Sequence, residues 1–147
     1  MKKLWIIALM LVCISGYAQQ ENMPLEVESA FQAKYTNARI GDWWVEDHLY
    51  HIDFIFQGGS YFAVFDLQGA WIETAETISE FEIPGELREY IRSNYPSGSI
   101  CYCERVENAQ RQLFLRIGII DAGNVDRVIR SDLEGNNIVL QEELGQL

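Results

Sequence analysis

YHIDFIFQGGSYFAVFDLQGAW, at residues 50–71, decides the fold because it holds two strands and the start of a third, separated by glycines. Aromatic and β-branched residues are concentrated in residues 48–57 and 60–66, and Gly58-Gly59 between them is typical of a tight hairpin turn. The pattern predicts further strands over residues 38–46 and 70–74. The first half of the chain should therefore contain four antiparallel strands.

A helix is predicted before these strands, over residues 24–35. Val27, Phe31 and Tyr35 recur at helical spacing on one face. Pro24 suits the first turn, where its missing N–H costs nothing. The helix should pack its apolar face on the sheet.

The second half of the chain echoes the first. Four residues of a second helical pattern lie 60 residues after their counterparts in the first, namely Pro84, Leu87, Ile91 and Tyr95. The pattern Asp-Leu-x-Gly also recurs, at residues 66–69 and 132–135. We therefore predict an α+β fold of two tandem repeats, about residues 24–75 and 84–142. Each should contain one helix and a four-stranded antiparallel sheet, with the helices on one sheet face.

Residues 1–18 have the layout of a secretory signal peptide. Lys2 and Lys3 precede an apolar run, and small residues stand where a signal peptidase reads, so cleavage is expected after Ala18. The run is shorter than the ~20 residues of a spanning helix. Cys13 follows Val12, where a lipoprotein signal requires a small residue. The prediction is a mature domain of residues 19–147, periplasmic or secreted, without a lipid anchor or membrane association.

The charge of the chain excludes two classes of partner. Removal of residues 1–18 takes away two lysines and no acidic residue, so the formal charge changes from −11 to −13. Nucleic acid and anionic membrane both need a basic face. Neither is expected as a partner.

The sequence does not predict an enzyme. It contains neither a serine in a nucleophile elbow nor a glycine-rich phosphate loop after a strand. His48 and His51 should point to opposite faces of one strand, so they cannot chelate one metal ion together. We expect no cofactor and no resident metal, and zinc held by His51 with Cys101 and Cys103 is a minor alternative.

Two further features bear on ligands. Residues 121–126 loosely resemble a calcium loop but lack the alternating ligands and distal glutamate of an EF-hand, so an ordinary hairpin turn is favoured. Calcium remains a weakly supported alternative. Cys101 and Cys103 are expected to be free thiols on one strand face, because a disulfide between residues i and i+2 has poor geometry.

Strand alternation separates a core face from a second, mixed face. Tyr50, Ile52, Phe54 and Phe56 should pack under the helices, and Trp43 should belong to the same core. Trp44 must then point to the other side. The partner-binding residues predicted on that side are Trp44, Leu49, His51 and Asp53, since aromatic side chains are common interface anchors. The alternative is that the two repeats bury this face on each other.

Several short motifs, in order, resemble the PepSY-like, β-lactamase-inhibitor-like periplasmic proteins. They are KYTNARI at residues 34–40, Trp43, Tyr50-x-Ile52-x-Phe54 and Phe65-Asp66-x-x-Gly69-x-Trp71. Ile83-Pro84, Tyr90-Ile91, Asn94-Tyr95-Pro96 and Asp132-x-x-Gly135 resemble a second copy. The resemblance implies a secreted or periplasmic domain without catalytic residues, whose structural relatives include an inhibitor that grips an enzyme with its sheet.

Together these observations predict a non-catalytic protein-binding module, inhibitory toward an envelope enzyme or peptidase. The alternative is a small-ligand or calcium-responsive periplasmic sensor domain. The identity of the partner, the oligomeric state and the redox state of the two thiols do not follow from the sequence.

Overall fold

A computed structural model of the chain describes residues 22–123 and 126–141. In these residues two α-helices and eight strands follow in the order α1 (Leu25–Lys34), β1 (Arg39–Glu46), β2 (Leu49–Phe56), β3 (Gly59–Asp66), β4 (Trp71–Thr77), α2 (Gly85–Asn94), β5 (Ser99–Asn108), β6 (Leu113–Ile120), β7 (Asp126–Ser131) and β8 (Val139–Gln141). A short 3-10 helix, Glu80–Glu82, precedes α2. No helix in the described ranges is long and apolar enough to cross a membrane. The predicted signal peptide, residues 1–18, lies outside them.

All eight strands form one antiparallel sheet in the order β1 to β8. The two halves join between β4 and β5, where Glu73 pairs with Asn108 and Thr77 with Glu104. The prediction of two repeats that each carry their own four-stranded sheet is therefore wrong, although the fold is α+β in general. The physical reason is that β4 and β5 would otherwise each leave a row of backbone N–H and C=O groups without strand partners.

Each helix covers one half of the sheet. Under α1, Phe31 meets the ring of Phe54 edge-on, with centroids 4.9 Å apart. The most buried members of this first core are Val27, Phe31, Ile52, Ala63 and Phe65. Under α2, the second core contains Leu87, Cys103, Leu115, Ile117, Ile119 and Ile129.

The two helices lie on the same side of the sheet. The hydroxyl of Tyr35, from the first core, hydrogen-bonds the hydroxyl of Thr74 in β4. Glu76, on the same side of β4, accepts a hydrogen bond from Arg105 of β5. Arg105 shares its side of β5 with Cys103, a member of the second core. The opposite side of the sheet is therefore left to the strands.

Turn chemistry sets the register of the first hairpins. Gln57 and Gly58, between β2 and β3, have φ values of 50° and 85°, as a type I′ turn requires. The turn thus lies one residue before the expected Gly58-Gly59 pair. Asp66 Oδ1 accepts hydrogen bonds from the N–H groups of Gln68 and Ala70, so this aspartate shapes the turn between β3 and β4.

Bulges interrupt β1 between Ile40 and Asp42, and β5 between Ile100 and Tyr102. The second bulge changes the environment of the two thiols. Cys101 is exposed and Cys103 is buried, and both are free. The prediction that they share one strand face is wrong, because the extra residue breaks the alternation of the strand. Burial raises the pKa of Cys103 to about 11.

Candidate protein-binding face

The sheet face opposite the helices is referred to below as the open face. Its central row runs straight across five strands, through residues that lie opposite one another: Asp53, Phe62, Ala75, Val106 and Phe114. Ala75, Val106 and Phe114 are buried by their neighbours and form a third apolar cluster with Phe62. In the described part of the chain, neither helix packs on this face.

The four predicted partner-binding residues all lie on the open face. Trp44 of β1 is opposite His51 of β2, and their rings stack with centroids 5.4 Å apart and planes 9° from parallel. Asp53 lies on the same side of β2, two residues from His51. Leu49 is at the other end of β2, opposite Glu46, and takes no part in the ring contacts.

Phe62 of β3 completes the aromatic group and was not identified from the sequence. Its ring centroid is 5.7 Å from that of Trp44 and 5.5 Å from that of His51. The signal for it was present, because Tyr61, Ala63 and Phe65 alternate toward the helix side and leave Phe62 on the other. The aromatic cluster is thus made of Trp44, His51 and Phe62.

A cavity of about 480 Å³ opens beside this cluster. It is called below the Trp44–Asp53 recess, and its lining includes Trp44, Asp53, Ile55, Phe62 and Glu104. Trp44 is 39% exposed and Ile55 is 41% exposed, so large apolar surfaces here remain accessible. Glu104 comes from β5, so the pairing of β4 with β5 helps to build the recess.

Asp53, which lines the recess, lies beside a second carboxylate. Asp53 of β2 is opposite Asp42 of β1. Desolvation, and secondly the charge of Asp42, raise the pKa of Asp53. Asp42 accepts a hydrogen bond from the N–H of Trp43 at 2.8 Å. Among the described residues neither carboxylate takes part in an ion pair, so this corner of the open face carries uncompensated negative charge.

The charges in the other half of the open face are balanced internally. Arg116 of β6 is held by Glu73 and Glu104, each with an N···O distance of 2.7 Å. Burial alone would lower the pKa of Arg116, but the two glutamates outweigh it and the pKa is raised. The guanidinium of Arg130 lies over the ring of Phe114 at 3.8 Å. These cations are therefore committed to partners inside the chain.

The arrangement does not assemble a metal centre. No group of three or more His, Cys, Asp or Glu side chains that could hold a metal ion occurs in residues 22–123 and 126–141. His51 lies on the open face and Cys103 in the core under α2, so the zinc alternative fails on geometry. In the loop that loosely resembled a calcium site, Asp121 forms an ion pair with Arg127 at 3.2 Å. Residues 124 and 125 of that loop lie outside the described ranges.

Comparisons with known proteins bear on the fold. No protein-family profile and no curated protein sequence matches the chain. A DUF2874 family protein from Bacteroides uniformis is similar in structure, with a TM-score of 0.65 and 20% identity over 80% of this chain and 88% of that one. A protein from Bacteroides eggerthii with a provisional periplasmic designation has a TM-score of 0.66 and 18% identity, over 82% and 88% of the two chains.

A BLIP-like protein from Bacteroides fragilis is also similar, with a TM-score of 0.61 and 14% identity over 86% of this chain and 93% of that one. The β-lactamase-inhibitor-like part of the resemblance found in the sequence is thus supported at the level of the fold. The PepSY-like part is not addressed by these structures. The chain therefore shares the fold of DUF2874 family and BLIP-like proteins of Bacteroides.

Proposed function

We propose that this chain is a non-catalytic module that binds another protein with its open face. The observation that carries the proposal is the aromatic cluster of Trp44, His51 and Phe62, which lies on a sheet surface that neither helix covers. Exposed aromatic side chains backed by buried neighbours are the usual anchors of protein interfaces. Trp44 packs against the rings of His51 and Phe62, yet 39% of the residue remains exposed.

The similarity in fold to a BLIP-like protein supports a protein-binding role. Inhibition of an envelope enzyme or peptidase is the finer form of the proposal, because an aromatic sheet surface can cover the entrance of an active site. The proposal includes no catalytic step. Trp44, Leu49, His51 and Asp53 are its partner-binding residues, and Phe62 joins them.

We further propose that the module works in the periplasm or outside the cell. The layout of residues 1–18 supports export, and a structurally similar protein carries a periplasmic designation. Intact mass of the exported product of the full chain tests this. A mass equal to that of residues 19–147 agrees with export and cleavage, whereas retention of residues 1–18 or a lipid adduct on Cys13 contradicts the proposal.

The sensor alternative remains a prediction from the sequence. Calcium response would require oxygen ligands gathered in one place, and Asp121 already contacts Arg127. The described residues add no support to it. A thermal shift that appears only with calcium would favour the sensor over the binding module.

Site-specific photo-crosslinking tests the binding module. A photoreactive residue replaces Ile55 on the open face, and in a matched control it replaces Gln32, which is exposed on α1. We expect envelope extracts to yield a defined adduct with the first variant and not with the second. The adduct should disappear when Trp44→Ala is added.

Affinity for the crosslinked protein then provides the quantitative check. Trp44→Ala should weaken binding by about 2 kcal/mol or more, as the loss of a central aromatic anchor does. Equal adducts from both positions, or an adduct that is indifferent to Trp44→Ala, would contradict the use of the open face. An adduct specific to α1 would move the binding surface to the helices.

A further inference from the structure

The Trp44–Asp53 recess combines aromatic walls with the carboxylate of Asp53, which forms no ion pair among the described residues. We propose that it receives a lysine or arginine side chain of the partner protein, with the guanidinium or ammonium group at Asp53 and Asp42. This inference rests on the proposed function and specifies the chemistry of its partner. It assigns the recess a single kind of occupant.

Charge is the first argument. Asp42 and Asp53 lie opposite each other and form no ion pair among the described residues, and the pKa of Asp53 is raised by desolvation and by Asp42. A cation placed between them would relieve their repulsion. Glu104 also lines the recess, but it already forms an ion pair with Arg116.

Among residues 22–123 and 126–141, neither Asp42 nor Asp53 forms an ion pair with a lysine or arginine of the chain. Arg39 is the nearest basic residue along β1 and lies opposite Ile55, yet among the described residues it pairs with neither Asp42 nor Asp53. Arg116 and Arg130 are committed to Glu73, Glu104 and Phe114. With a net formal charge of −11, the chain as a whole also attracts a basic partner.

The walls of the recess favour a long cationic side chain over a small ion. Trp44 and Phe62 present ring surfaces, and Ile55 presents an apolar one, beside Asp53. Aromatic faces attract lysine and arginine heads through their quadrupole, and the apolar wall accommodates the methylene stem. At about 480 Å³ the cavity has room for such a side chain. A lysine or arginine side chain of a basic partner segment is the occupant that fits.

The test uses defined peptides, so it does not depend on knowing the partner. The exported form of the full chain is labelled with ¹⁵N and titrated with Ac-Gly-Arg-Gly-NH₂, while the indole N–H signal of Trp44 is followed by NMR. The probe for comparison is Ac-Gly-citrulline-Gly-NH₂, which has nearly the same shape as the arginine peptide but no charge. We expect the arginine peptide to shift the Trp44 signal with saturation and the citrulline peptide to bind at least about fivefold more weakly, as expected for the loss of a contact between opposite charges near water.

Two variants locate the effect. The double substitution Asp42→Asn and Asp53→Asn should weaken binding of the arginine peptide by a similar factor. Added salt should reduce the difference in affinity between the double variant and the unmodified chain. Asp47→Asn, in the exposed turn between β1 and β2, removes one negative charge outside the recess and should leave binding unchanged. Signals of the α2 core serve as the check that the double variant is folded.

The proposal is overturned if the Trp44 signal does not respond to the arginine peptide, if citrulline binds equally well, or if the double variant binds arginine unchanged. Failure of the proposed function has a different signature. If crosslinking finds a partner on the open face but the double variant binds that partner normally, the open face stands as the binding surface and the recess is not its cation site. If the arginine peptide binds but no crosslink depends on Trp44, the cation site stands without the protein-binding role.

Discussion

The indole of Trp44 lies flat on the imidazole of His51, 9° from parallel, and joins β1 to β2 on the open face. Phe62 of β3 meets both rings, so one aromatic cluster spans three strands. His51 Nδ1 is buried by this packing and has no hydrogen-bond partner in the described residues. Trp44 is therefore held in place before any partner arrives, which lowers the entropy cost of binding.

Trp44→Ala should reduce the free energy of unfolding by about 1 kcal/mol, because it removes an aromatic pair and only part of a buried surface. Urea denaturation of the single variant measures the loss. Trp44→Phe, which keeps a ring over His51, should lose less. A loss above about 3 kcal/mol for alanine would show that Trp44 is enclosed rather than accessible.

Trp43→Ala should cost about 2 kcal/mol, less than the truncation of a fully buried aromatic residue. Trp43 lies on the helix side as expected, but it is only partly buried, beside Tyr50 with ring centroids 6.0 Å apart. Phe31→Ala is the matched comparison, since Phe31 has no exposed surface. We expect Phe31→Ala to lose more free energy of unfolding than Trp43→Ala. An equal loss in the two variants would place Trp43 in the centre of the core.

Arg116→Met should destabilise the chain by about 2 to 4 kcal/mol at neutral pH, because it leaves Glu73 and Glu104 close together without their cation. Thermal unfolding of the variant at neutral pH provides the measurement.

Arg116→Met combined with Glu73→Gln and Glu104→Gln is the control for that prediction. With both carboxylates removed, most of the lost stability should return. If the triple variant is as unstable as the single one, packing of the Arg116 stem outweighs the charge in this cluster.

Asp53→Asn should make the chain more stable at neutral pH. The pKa of Asp53 is raised in the folded chain, so the folded state binds more protons than the unfolded one between the two pKa values, and stability falls as the pH rises through that interval. The asparagine variant does not lose stability in this way, so at acid pH its free energy of unfolding should equal that of the original chain. Denaturation curves at the two pH values test the prediction, with Asp47→Asn as the surface control.

Local patterns predicted most of the elements and both faces of the sheet. The helix expected over residues 24–35 is found at Leu25–Lys34, and strand alternation placed Trp44 and His51 together on the face opposite Ile52. The pairing of β4 with β5 was missed, because residues 75–83 read as an acidic connector. Whether two strand edges meet depends on the packing of both halves, which leaves no local signal.

The site was predictable only in part for the same reason. Trp44, Asp53 and Asp42 lie in a regular register that ends before the bulge in β1, whereas the position of Arg39 opposite Ile55 depends on that bulge. Glu104 reaches the recess from β5, across a strand pair that the sequence did not reveal. A bulge adds one residue without any pattern that distinguishes it from a regular strand.

The bulge between Ile40 and Asp42 also bears on the solubility of the sheet. In the described part of the chain β1 pairs on one side only, so its outer backbone groups could template the addition of another copy and, eventually, a fibril. The extra residue disrupts the regular spacing of those groups partway along the strand. The bulge thus makes this margin of the sheet a poorer template for another copy, while the aromatic surface of the open face stays exposed.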